Sequence, residues 1–330
     1  MINGVSRKFL QTWGAPLLTI GALLVPLFLL IPYAASYGGY KRSLGALIYS
    51  LCKFGDSTPQ TAALDYSYCL LVPPIVIYLI YLKKDEIVRL PLQGSWWGLA
   101  VLLFGFFVYW FGIRAEMQYF GYAAIQILLA GVLLWFWGVP LFRKLIFPWA
   151  FCLFAWPMPF LDPIIAFRMR IIMNELAHHL LNIVGIPNIQ SGTALFSAPD
   201  AAAGLAMGAR FQIDIADPCS GIRSLFALLM FSALFAYLFV PRLWQQWVLF
   251  LAAFPLAIVG NVCRVVLLVL GCLLFGAPFA IGTEAEPSSY HEGCGFAIYA
   301  VALGLEFLLA EIMMRIWGRT KTPAPAPVPV

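Results

Sequence analysis

Long apolar runs, interrupted by glycine, proline or small clusters of basic residues, dominate this chain. A helix that crosses a bilayer needs about 20 mostly apolar residues. By that measure the pattern predicts about eight spans. They fall over residues 15–35, 66–82, 95–113, 118–138, 141–157, 220–240, 245–265 and 294–316. The runs are continuous and do not alternate, so they read as helices and not as strands of a membrane barrel. The first run follows Arg7 and Lys8. Its apolar core exceeds the roughly 7–15 residues of a signal peptide, and it reads as a retained anchor.

Two stretches depart from this pattern. Residues 159–218 form a long insertion on the outer side. From Asp162 to Val184, Arg168, Arg170, Asn174 and Glu175 punctuate Ile, Met and Leu. That mixture predicts an amphipathic helix lying at the interface. Further on, Phe211-Gln-Ile-Asp-Ile-Ala alternates with period two and predicts a short strand before Cys219. The second departure is 245–280, which is almost wholly apolar but carries Pro255, Gly260-Asn261 and Arg264. It reads as a span ending near Arg264, followed by a short helix that stays in the outer half of the bilayer. The expected fold is an all-α polytopic membrane protein with about eight transmembrane helices, an outer amphipathic helix and a short strand. A single integral membrane domain covers 1–320, and 321–330 is a proline-rich tail.

Composition narrows the functions available. Of 330 residues, 62% are hydrophobic and 11% are charged, where a soluble domain carries about 25% charged residues. This excludes an ordinary soluble protein, a disordered chain and a free nucleic-acid-binding domain. The net charge of +5 matters less than its placement. Arg7, Lys8, Lys83, Lys84, Arg89, Arg143, Lys144, Arg242, Arg315, Arg319 and Lys321 all fall on one side of the eight-span topology. By the positive-inside rule that side is the cytoplasm, with both termini there. Lys41, Arg42, Lys53 and Arg114 oppose this bias without reversing it. The seven cysteines form no CxxC pair, and neither a GxGxxG nor a Walker pattern occurs. No metal, nucleotide or other cofactor is therefore expected.

A polar group inside a membrane segment is costly and needs a reason. Three places on the outer side qualify. In Asp217-Pro-Cys-Ser-Gly-Ile-Arg-Ser224, Asp217 can cap the sixth span with Pro218 at the first helical position. Cys219 then lies in the first turn, where the helix dipole favours the nucleophilic thiolate; the plainer alternative is an inert buried cysteine. In Gly260-Asn-Val-Cys-Arg264, Asn261 and Arg264 are the strongly polar residues between Val248 and Phe279. One turn apart on one face, they favour a polar pocket over an arginine that snorkels to the interface. In Tyr290-His-Glu-Gly293, His291 stands just before the eighth span, as a general base or as a solvated loop residue. His178 and His179 are adjacent, so they do not share a helix face and make a poor metal site. The topology places Cys219, Arg264 and His291 at similar depth. A thiol, a base and a fixed cation are the parts of acyl transfer through a thioester.

At these residues the chain resembles the exosortase/archaeosortase family of membrane transpeptidases. The resemblance rests on Cys219-Ser-Gly-Ile-Arg-Ser-Leu225, Asn261-Val-Cys-Arg264 and His291. Weaker matches are Asp65-Tyr-Ser-Tyr-Cys69, Trp156-Pro-Met-Pro159 and Leu181-Asn-Ile-Val-Gly185. The chain departs at Ser67-Tyr68-Cys69, where the family usually has Ser-His-Gly. The resemblance implies a catalytic set of Cys219, Arg264 and His291. It implies substrates that are secreted proteins with a C-terminal sorting tail: a short signature, often Pro-Glu-Pro, a transmembrane helix and a basic end. A glutamate in the signature needs a cation, and Arg223, one turn past Cys219, is the expected contact with Arg264 as its rival; Ser220 and Asn261 are the other expected substrate contacts. The tail is cut at the outer interface and the protein is passed from Cys219 to a lipid or other envelope acceptor. The implied location is the inner, or cytoplasmic, membrane, in contact with membrane lipids and without nucleic acid. Two other readings stay open. One is a cysteine protease that transfers to water. The other is a transporter or exopolysaccharide-export scaffold, which predicts inverted repeats and midplane polar groups.

Overall fold

The computed structural model describes residues 14, 18–33, 42–52, 66–91, 93–157, 164–165, 167–214, 222–282 and 288–317, with the side chains of 50–52, 67 and 222–224 outside the description. The chain is mostly helical. Among the described residues, four helices are long and apolar enough to cross a membrane, and three shorter apolar ones accompany them. Contacts divide the chain into two compact units, which meet in sequence between Met158 and Pro159.

The first unit holds α1 (Leu18–Leu30), a two-strand ribbon β1 (Pro32–Tyr33) and β2 (Arg42–Ser43), α2 (Leu44–Cys52), α3 (Val72–Leu82), α4 (Lys84–Val88), α5 (Trp97–Arg114) and α6 (Gln118–Phe151). A 3₁₀ turn, Ser67–Leu71, leads into α3. Along α6 the backbone breaks at Gly138, with φ 76° and ψ −173°. This left-handed φ is open to glycine and strained for other residues. Gln126 and Trp149 exchange two hydrogen bonds, the indole N–H donating to Gln126 O at 3.0 Å. Twenty-three residues of straight helix would hold them about 35 Å apart, so α6 doubles back at Gly138 into two antiparallel limbs. The segments expected at 118–138 and 141–157 are these limbs. The turn falls at Gly138-Val-Pro140, between the expected spans, because a reversal needs backbone freedom, and Arg143 and Lys144 mark its side.

Close packing of α5 on the first limb depends on glycine. A Cβ added at Gly98 would meet the backbone N of Trp135. Tyr109 donates to Leu27 O at 2.8 Å, and Tyr33 donates to Tyr109 O at 3.3 Å. These bonds tie α1 and the ribbon to α5. Gln126 also accepts from the Trp156 indole at 3.0 Å, and Trp156 stacks on Tyr122.

The second unit holds α7 (Phe167–Ile183), β3 (Asn188–Ser191), β4 (Ala194–Ser197), β5 (Gln212–Asp214), α8 (Ile222–Phe239), α9 (Leu243–Phe275), α10 (Ala277–Ala280) and α11 (Ser289–Trp317). The expected amphipathic helix is α7. Met169, Met173, Ala177 and Leu181 recur every four residues and are buried, against α9 and β3. The expected strand is β5, with Phe211 and Ile213 buried and Gln212 and Asp214 exposed. It belongs to a three-stranded antiparallel sheet ordered β3-β4-β5, with Asn188 opposite Ser197 and Ala194 opposite Asp214. The hairpin β3-β4 was not expected, since four-residue strands carry too little alternation to register.

Three helices form the core of this unit. Trp244 meets Trp317 and Arg264 meets Gly295, so α9 and α11 are antiparallel. Phe231 meets Tyr299 and Phe235 meets Phe307, so α8 and α11 are parallel. The expectation that a span ends near Arg264 is corrected: α9 runs unbroken through Pro255, Asn261 and Arg264 to Phe275. An asparagine or arginine does not stop a helix when its side chain has somewhere to go. Asn261 donates back to Ala257 O at 2.9 Å. What ends α9 is Gly276, at φ 86°.

Candidate functional site

Helix α11 begins five residues earlier than expected, and this changes the environment of His291. Ser288 caps it: the Ser288 hydroxyl accepts from His291 N at 3.1 Å and donates to Ala280 O at 3.0 Å. Tyr290 donates to Leu267 O at 2.9 Å, pinning the same turn to α9. His291 is therefore a buried helical residue, 5% exposed, and not a solvated loop residue. Glu292, next to it, is exposed.

Gly295 lies one turn below His291 on the same face of α11, and the Arg264 guanidinium occupies the space above it. A Cβ at Gly295 would sit 3.2 Å from Arg264 Nη2. Arg264 Nε is buried without a hydrogen-bond partner among the described residues. Below the guanidinium is a small cavity of about 30 Å³, lined by Leu228 of α8, Asn261 and Arg264 of α9, and Gly295 and Tyr299 of α11. That is room for a water molecule or two beside a permanent cation. Asn261 and Arg264 of α9 thus line this cavity, and His291 of α11 stands one turn from Gly295 in its wall.

The other expected residues stand differently. Cys219 and Ser220 lie outside the described residues. Arg223 is in the first turn of α8, with its side chain outside the description. Cys263 is exposed beside Arg264, and Cys294 is buried beside Gly295. His178 serves architecture: its Nδ1 is 2.6 Å from Asn188 Oδ1, joining α7 to β3.

One residue was missed. Glu306 is 1% exposed in α11, two turns below Tyr299. It faces Ser232 of α8, whose hydroxyl donates to Leu249 O of α9 at 3.1 Å. Its Oε1 has no partner among the described residues. The signal was present in the sequence: an acid standing alone in the apolar run 294–310. Gln245 of α9 is likewise fully buried, with both amide atoms without a described partner.

A family model described as transmembrane exosortase (Exosortase_EpsH) matches residues 61–308. The chain belongs to the transmembrane exosortase family. It is a multi-pass, all-α membrane protein by that membership and by its apolar helices. Comparison with curated proteins and with solved structures gives no match. The exosortase match takes in Cys219, Arg264, His291 and Glu306, and leaves out 1–60 and 309–330.

Proposed function

We propose that this exosortase is a cysteine transpeptidase, with Cys219 as nucleophile, His291 as its base and Arg264 as the oxyanion partner. The observation that carries this reading is the packing of the Arg264 guanidinium of α9 against Gly295 of α11, one helical turn from the buried His291. The parallel pairing of α8 with α11 sets Phe231 beside Tyr299. Counting eight residues back along each helix brings the first turn of α8 to the height of His291. Cys219 is three residues before Ile222, and three residues reach about 11 Å at most. That reach is compatible with Cys219 as the nucleophile of this site.

In this mechanism His291 takes the thiol proton and the Cys219 thiolate attacks the scissile carbonyl carbon. The C–S bond forms as the carbonyl π electrons move onto oxygen, where Arg264 answers the charge. Collapse of the tetrahedral intermediate breaks the C–N bond. His291 returns the proton to the leaving amine. An acceptor amine or hydroxyl, its proton taken by His291, then attacks the thioester carbonyl; the C–S bond breaks and the proton returns to the Cys219 sulfur.

The substrates we propose are secreted proteins with a C-terminal sorting tail, cut at the outer face of the cytoplasmic membrane. Ser220, Arg223 and Asn261 contact the signature, and a lipid or other envelope group accepts the product. Counted with the two limbs of α6 separated, the long and short apolar helices support about eight crossings, both termini being cytoplasmic.

The test is Cys219→Ala expressed in the native host beside wild type, following a secreted protein with a candidate tail by gel mobility. Accumulation of uncut precursor, with the variant still folded in the membrane, is the expected result. Unchanged processing overturns the reading and favours a scaffold or transporter. Mass spectrometry of the processed C-terminus separates transfer, which leaves an amine- or lipid-linked product, from hydrolysis, which leaves a free carboxylate.

A further inference from the structure

The first unit contains a larger cavity that plays no part in this chemistry. It measures about 390 Å³ and opens between α3–α4 and the two limbs of α6. Leu133, Trp137 and Leu145 form its buried floor. Its rim is the exposed run Ile80, Tyr81, Lys84 and Val88. The walls are otherwise apolar, so the cavity offers water almost nothing to bond to. Left empty, its lining would lose the dispersion contacts that hold a packed interior together. Its size is within the range of pockets that hold small organic ligands, about 300–1,000 Å³.

The rim decides what kind of apolar ligand fits. Lys83 donates to Lys144 O at 3.0 Å, and Lys144 pairs with Glu86 at 2.7 Å. Glu86 is thus neutralised by Lys144. Lys84 donates to the Tyr81 hydroxyl at 3.0 Å and lies 4.1 Å from the centre of that ring. Both contacts are with a neutral partner; the only carboxylate acting on Lys84 among those described is its exposed neighbour Asp85. Arg89 and Arg143 flank the same two segments in sequence. Cations outnumber acids where the apolar cavity opens.

We propose that this cavity is a binding site for an anionic membrane phospholipid, with an acyl chain between Leu133, Trp137 and Leu145 and the phosphate on Lys84. An apolar slot with a cationic lip between membrane helices matches both halves of such a molecule. A zwitterionic lipid fills the slot equally well but gains little from Lys84. The site is independent of the chemistry assigned to Cys219 and holds whether or not that reading survives.

The experiment uses the full chain purified in detergent. It is exchanged with an equal mixture of phosphatidylglycerol and phosphatidylcholine of identical acyl chains, and retained lipids are counted by native mass spectrometry. The expected result is one phosphatidylglycerol per chain, favoured about fivefold over phosphatidylcholine, the worth of one lysine near an anionic headgroup. Lys84→Glu abolishes the preference and Lys84→Arg keeps it. Ile80→Trp, which narrows the mouth, lowers retention of both lipids. Melting curves confirm that each variant is folded. Equal retention of the two lipids by wild type overturns the proposal, as does an unchanged preference in Lys84→Glu. A lipid-free dimer overturns it too, since a second copy would then be the occupant.

Discussion

Two buried polar clusters, one in each unit, are handled in opposite ways. In the first unit, Gln126 is enclosed and answered: its amide bonds Trp149 O, and its carbonyl oxygen accepts from the Trp156 indole. Tyr109 and Tyr33 likewise end on backbone carbonyls. In the second unit, Gln245, Glu306 Oε1, Tyr299 OH and Arg264 Nε are buried with no partner among the described residues. A satisfied polar group specifies how helices dock. A buried polar group left over costs stability and is kept where something else uses it. The leftover groups run along α9 and α11 from the Arg264 cavity inward, on the helices that carry the proposed chemistry.

Four substitutions follow from this contrast and its surroundings, and the largest effect falls at the cavity. Arg264→Lys keeps the charge but loses the planar fork. Precursor processing in the native host should slow by about 10²–10³, the cost of losing an oxyanion donor, while yield and melting temperature stay near wild type. A drop in melting temperature that accounts for the lost processing would instead make Arg264 a structural residue.

The next effect compares the units directly. Gln126→Leu strips partners from Trp156 Nε1 and Trp149 O, and should cost about 1–3 kcal/mol per stranded group in denaturation of the purified protein. Glu306→Gln removes an oxygen that has no described partner and keeps the shape of the side chain, so its effect on stability should stay within about 1 kcal/mol. Equal losses at both positions would erase the distinction between the two clusters.

The smallest effect is at the surface. Lys144 beside Glu86 holds its carboxyl below the usual carboxylate range. A carboxylate depressed in the folded state stabilises above its unfolded value, near pH 4.3, and loses that contribution as pH falls further. Both side chains are about half exposed, so solvent screening limits the pair to a few tenths of a kcal/mol. The melting temperature of wild type minus that of Glu86→Gln should shrink as pH falls from about 5 toward 3, and should shrink in high salt. A difference independent of pH would show that the pair contributes nothing.

Much of the helical layout was legible because membrane helices are written locally. The runs at 95–113 and 220–240 became α5 and α8 within a few residues, since about 20 apolar residues in a row have few other stable fates. The i, i+4 stripe of α7 and the alternation of β5 were also local signals. The reversal at Gly138 fell between the expected spans, because the glycine and proline that interrupt an apolar run are also local signals. The continuity of α9 past Arg264 was misread, since the residues that keep that arginine tolerable are on α11, across the fold.

The sequence by itself determined a membrane protein of many helices, its family, and Arg264, His291 and Cys219 as the residues to watch. Apolar length and residue type suffice for that, because the cost of exposing polar backbone to lipid leaves little choice of secondary structure. Only the tertiary structure decided that α6 folds back on itself and that β3 and β4 complete the sheet. It alone made His291 a buried helical residue, set Arg264 over Gly295, and enclosed Glu306 between α8 and α11. These depend on which faces of distant segments meet. A residue's own neighbours in the chain carry no record of that.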